Sequence, residues 1–171
     1  MMKTAAWVGI GFVAMALWSA AGARSGATHL FPDAAVITVT FVALRREPIP
    51  TAAAAFILGY FSGRQALAPV GVHEAALVLC AAGVYMTSGR LAGSGALFFG
   101  GIAAATQIVY HGTLFLLAYL AAGNAGFASL WAALLLPGAL VTGVVAVLSY
   151  PLMIRVERRL VPEGHEELSW S

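Results

Sequence analysis

Few side chains in this 171-residue chain are equipped for chemistry, and nearly all of them stand at helix starts or inside apolar runs. The densest group is Thr106, Gln107, Tyr110, His111 and Thr113. At helical spacing Thr106, Tyr110 and Thr113 share one face, and Gln107 and His111, four apart, share another. Such a group lines a cavity for a small polar ligand, or else it supplies hydrogen bonds between helices. Pro32-Asp33 has two readings as well. Pro suits the first helical position and Asp the positive end of a helix dipole, but an outward-facing carboxylate there would pair with a partner protein or with Arg24. His73-Glu74 opens another run. A zinc protease helix needs a second His four residues on, and position 77 is Leu. The pair therefore reads as a helix start with His73 at the membrane interface.

Nucleophile chemistry has little to work with. Gly93-Ser94-Gly95 is a fragment of a serine elbow, but neither the full G-x-S-x-G motif nor a preceding strand is present. Ser94 or Cys80 with His111 is the only nucleophile–base couple available. No phosphate-binding loop, dinucleotide fingerprint or pair of facing carboxylates appears. The expectation is a non-enzymatic protein with no cofactor and no metal.

The elements that carry these residues are set by composition. Hydrophobic residues make up 61% of the chain and charged residues 9%, against roughly 45–50% and 25% in a soluble domain. The mean hydropathy is +0.89. This excludes a disordered chain, a soluble enzyme domain and a nucleic-acid binder with a basic face. A membrane span takes about 20 residues, so six spans take about 120. The fold class expected is an all-α integral membrane protein, a single bundle of six transmembrane helices over residues 1–160. The spans are 5–23, 32–44, 51–63, 73–88, 94–122 and 137–154, and residues 161–171 form a polar cytoplasmic tail. The first run also resembles a signal peptide, with Ala21-Gly22-Ala23 as a cleavage site. The second, near 13 residues, must tilt, thin the bilayer or lie partly inside the bundle. Pro137-Gly138 is expected to break the last run into an interfacial piece and a span.

Small residues recur at four-residue spacing in Gly59 and Gly63, Ala96 and Gly100, and Gly101 and Ala105. They let helix backbones approach closely, either within the bundle or at a homodimer seam. With the N-terminus inside, Lys3, Arg45, Arg46, Arg90, Arg155, Arg158 and Arg159 fall on the cytoplasmic side, and Arg24 and Arg64 fall outside. That asymmetry predicts an N-in, C-in topology. Arg155, Arg158 and Arg159 lie beside the membrane, where each would gain about 1 kcal/mol from anionic lipid head groups.

Several segments resemble the rod-shape-determining MreD family. They are Phe31-Pro-Asp-Ala-Ala-Val-Ile-Thr-Val-Thr-Phe-Val-Ala-Leu-Arg-Arg46, then residues 53–63 with Leu58-Gly-Tyr-Phe61, then Ala68-Pro-Val-Gly-Val-His-Glu74, and finally Leu148-Ser-Tyr-Pro-Leu-Met-Ile-Arg-Val-Glu-Arg-Arg159. The resembling features are a Pro-Asp opening a short helix that ends in Arg, a Gly-rich helix, a Pro-x-Gly turn followed by His, and a basic last helix. Gly63-Arg64-Gln65 departs from the family, which often has an Asp-rich helix end there. The resemblance implies a scaffold of the bacterial inner membrane that serves cell-wall elongation. It would bind MreC and, with it, RodA, a class B penicillin-binding protein and, indirectly, MreB. Pro32, Asp33, Arg45, Arg46, Gly59, Gly63, Gly71, His73, Arg155, Arg158 and Arg159 are then the candidate partner-contact or packing residues. MreD is also similar in helix layout to the substrate-binding subunits of energy-coupling-factor vitamin transporters. That keeps a second expectation open, a polar pocket at Thr106, Gln107, Tyr110 and His111, with Glu74 as a further member.

Overall fold

The computed structural model describes residues 2–25, 32–45, 47–66, 68–88, 95–122 and 127–160. Among them the chain forms six α-helices and no strand: α1 (Met2–Ser25), α2 (Ala34–Arg45), α3 (Pro48–Gln65), α4 (Val72–Ser88), α5 (Ala96–Ala122) and α6 (Phe127–Leu160). Among the described residues three segments are long and apolar enough to cross a membrane, namely Thr4–Gly22, Ala96–Leu117 and Leu135–Arg159.

α2 occupies the centre. It packs against α1, α3, α4, α5 and α6, and every residue from Ala34 to Ala43 is buried. Twelve residues rise about 18 Å, well short of the roughly 30 Å hydrocarbon core of a bilayer. Of the alternatives open for this short run, enclosure by the bundle is the one observed, so neighbouring helices rather than lipid surround it. Its composition fits that position: Val36, Ile37, Val39 and Val42 fill space on all sides, and Thr38 returns its hydroxyl to the Ala34 carbonyl at 2.8 Å.

Two apolar clusters surround α2. Toward its N-terminal end, Ala35, Val36, Leu58, Leu77, Cys80 and Tyr110 pack together. Toward its C-terminal end, Trp7, Phe41, Phe99 and Met153 form the other. Here the rings run Trp7–Phe41–Phe99–Tyr150, with centroids 4.7, 5.8 and 5.4 Å apart. This series links α1, α2, α5 and α6, and Trp7 is a packing residue, 1% exposed. The outer surface is apolar too. Leu97, Leu148 and Leu140 are 82%, 70% and 68% exposed, a distribution suited to lipid rather than water.

α6 departs from expectation. It is helical without interruption from Phe127 to Leu160, through both Pro137 and Pro151, so Pro137-Gly138 does not divide it. Proline removes one backbone donor, and membrane bundles tolerate that loss within a helix.

Candidate functional site

The chemistry-bearing residues gather at two ends of the bundle. At the first, Asp33 caps α2. Its Oδ1 accepts the backbone N–H groups of Ala35 and Val36 at 3.0 and 3.1 Å, and its own N–H donates to Thr142 Oγ1 at 3.2 Å. Asp33 is therefore the N-cap, and Pro32 lies one residue outside the helix rather than at its first position. Losing such a cap costs about 1 kcal/mol. Asp33→Ala is expected to lower the detergent-solution melting temperature, whereas Asp33→Asn, which keeps the acceptor, is expected to stay close to wild type. Equal losses in both variants would show that the carboxylate charge matters beyond capping.

α4 starts in a similar way. Gly71 adopts a φ of +98°, which glycine accommodates and a side chain resists. Glu74, 4% exposed, reaches back so that Oε2 accepts the Gly71 N–H at 2.9 Å. This is the reciprocal half of a capping box, and it satisfies a carboxylate that would otherwise be costly to bury. His73 is half-buried, and its Nδ1 lies 2.6 Å from the Tyr110 hydroxyl. Tyr110 is 2% exposed, so this bond ties α4 to α5 inside the bundle.

Proximity to Tyr110 divides the expected pocket residues. Thr106 is buried but spends its hydroxyl on the Ile102 carbonyl at 2.8 Å, and Thr113 likewise bonds Val109 at 2.8 Å. His111 stacks edge-on to Tyr110, with centroids 5.1 Å apart. Gln107 is 6% exposed, and its Oε1 has no hydrogen-bond partner among the described residues. An unpaired buried acceptor costs about 1–3 kcal/mol. Thus one of the four residues presents unused hydrogen-bonding capacity, while Thr106 and Tyr110 are engaged. A shallow recess nearby is lined by Tyr60, Gly63, Arg64, Pro69 and Glu74 and has room for about one water.

Gly59 and Gly63 face this same end. A Cβ on Gly59 would lie 2.7 Å from Glu74 Cα and 2.9 Å from the His73 carbonyl oxygen. A Cβ on Gly63 would make ordinary contact with the His73 side chain at 3.5 Å. The motif is used inside the molecule, to seat the first turn of α4 on α3.

At the opposite end, Arg45 is exposed but is held by partners within the chain. It bonds Glu157 Oε2 at 3.0 Å and the Tyr150 hydroxyl at 3.2 Å, and its guanidinium lies 5.5 Å from the Phe41 ring centroid. Arg155, Arg158 and Arg159 are exposed on α6. Arg46 and Ser94 lie outside the described residues, as does the 161–171 tail. Thr142, Tyr150 and Glu157 were not expected at these sites. Glu157 carried a signal, as the one acid within an Arg-rich helix end, but nothing in the sequence names Arg45, 112 positions away, as its partner.

Among the described residues, fold and site together define an all-helical protein with three helices long and apolar enough to cross a membrane, and with Asp33, His73, Glu74 and Arg45 engaged in caps and ties within the chain. Comparison with family models, with curated proteins and with solved structures returned no match.

Proposed function

We propose that this protein is a non-enzymatic scaffold of the bacterial inner membrane, with six spans, N-in and C-in, serving the cell-wall elongation complex through MreC, RodA and a class B penicillin-binding protein. The observation that carries this reading is the fate of the residues behind the MreD resemblance. Asp33, Gly59, Gly71, His73 and Glu74 all cap, seat or tie the α2–α3–α4 unit to its neighbours. A family pattern whose conspicuous residues build a rigid bundle suits a protein that works by holding others in place. α2 is enclosed, and α4 begins at a capped turn beside α3.

Depletion in the source bacterium is expected to widen and round the cells, and a tagged chain extracted in mild detergent is expected to retain MreC or RodA. Unchanged cell width on depletion would overturn the proposal.

A transporter substrate-binding subunit is the second reading, favoured by the unpaired Gln107 Oε1 in a buried position beside His111. It predicts a stoichiometric small molecule in the same preparation, together with a transmembrane coupling protein and its ATPases. It also predicts loss of that molecule in Gln107→Leu.

A further inference from the structure

The C-terminal part of α6 carries a one-sided strip whose polarity changes along its length. At 100° per residue, Leu140, Val144, Leu148, Leu152, Arg155 and Arg159 fall on one side of the helix, and Arg158 stands in line with Leu140 at the edge of that side. The four apolar members are 58–70% exposed, and the three arginines are exposed as well. Nothing acidic interrupts the strip. Glu157 sits on the opposite side of α6, with its side chain 14% exposed and its carboxylate taken by Arg45. Arg45 is in turn fixed by Tyr150 and Phe41. The ion pair therefore draws the segment's one acid toward the bundle and leaves three guanidinium groups facing outward.

We propose that this strip is a binding site for anionic phospholipid, with acyl chains along Leu140 to Leu152 and the phosphate head group on Arg155, Arg158 and Arg159. Two features select lipid over an acidic protein segment. The strip is continuous with a stretch apolar enough to cross a membrane, Leu135–Arg159, so its cationic end falls at the depth of the head groups. It also passes from exposed apolar to exposed cationic without changing face, which is the profile of a single leaflet. Guanidinium groups add planar, paired donation to phosphate oxygens. This inference rests on α6 crossing a membrane and is independent of the cell-wall proposal.

The test uses the full chain, reconstituted into vesicles of equal phosphatidylglycerol and phosphatidylcholine and re-extracted in mild detergent, with the retained lipids quantified. Wild type is expected to retain phosphatidylglycerol in clear excess. Each arginine near the surface contributes about fivefold in affinity, so R155Q/R158Q/R159Q is expected to weaken retention on the order of a hundredfold and return the lipids to the vesicle ratio. Single Arg→Gln variants should fall between, which guards against misfolding of the triple variant. E157Q is expected to keep the full excess, because that carboxylate faces the bundle. Retention at the vesicle ratio by wild type, or an excess that survives in the triple variant, overturns the proposal. So does an excess that appears only when residues 161–171, with Glu163, Glu166 and Glu167, are removed, since the strip would then belong to the chain's own acidic tail.

Discussion

Gly59→Leu is expected to abolish recovery of a monodisperse protein, and Gly59→Ala to destabilise it by at least the 1–3 kcal/mol typical of an overpacked core. The atoms in the way are the Glu74 Cα and N and the His73 carbonyl oxygen, all within 3 Å of where the new Cβ must go. Backbone cannot rotate aside as a side-chain tip can. To admit even a methyl group, α3 and α4 must separate. Separation pulls on the turn that carries Gly71, the cap from Glu74 and the His73–Tyr110 bond together. Gly63→Ala is the matched control, because the atoms nearest its Cβ belong to the His73 side chain and lie at ordinary contact distance, 3.5 Å or more. Thermal unfolding of the two alanine variants in the same detergent should therefore differ sharply. Similar melting temperatures for both would mean that α3 and α4 are not seated as described.

The second large effect concerns the α5–α6 pair. Gly100→Leu is expected to separate these helices and to reduce the yield of folded protein severely, while Gly101→Leu is expected to be tolerated. A Cβ on Gly100 would run into the Val147 side chain and lie 2.8 Å from the Gly143 carbonyl oxygen. From the other side, a Cβ on Gly143 would lie 3.0 Å from Ala104 Cβ and 3.1 Å from the Gly100 carbonyl oxygen. The two glycines thus set the closest approach of α5 to α6, the most extensively packed helix pair in the bundle. Gly101, one residue on, meets nothing within 4 Å and faces outward. Gly101→Ala should even stabilise slightly, since alanine is the better helix former. Size-exclusion profiles before and after a heat step would rank the variants. A disrupted Gly101→Leu protein would place a helix of a second molecule against that face.

These two contrasts show which parts of the fold were legible in the residues alone. Helix starts were. The His73-Glu74 start is visible because a cap depends on atoms within one turn of itself, whereas α3 begins at Pro48, three residues before the expected span. The placement of Pro32 and Asp33 differed by one position, since cap and first helical residue are separated only by local backbone angles. The break expected at Pro137 did not occur, because proline weakens a helix by a few kcal/mol and packing along a long helix can exceed that. The polar group on α5 was visible as a group. Which of its members would be engaged was not, since Tyr110 finds His73 across 37 residues of chain.

Hydrophobicity and its spacing were enough to determine an all-helical chain with membrane-spanning character, because transfer of apolar surface is additive along the sequence and indifferent to partners. Partner choice was decided only by tertiary structure. Gly59 and Gly100 carry close helix contacts while Gly101, equally placed in its own small-residue motif, carries none. Arg45 pairs with Glu157 across 112 residues while Arg155, Arg158 and Arg159 stand exposed on α6. α2 sits at the centre although its length alone allowed three placements. Each of these depends on which faces meet once six helices close on one another, and that is a property of distances between segments far apart in the chain.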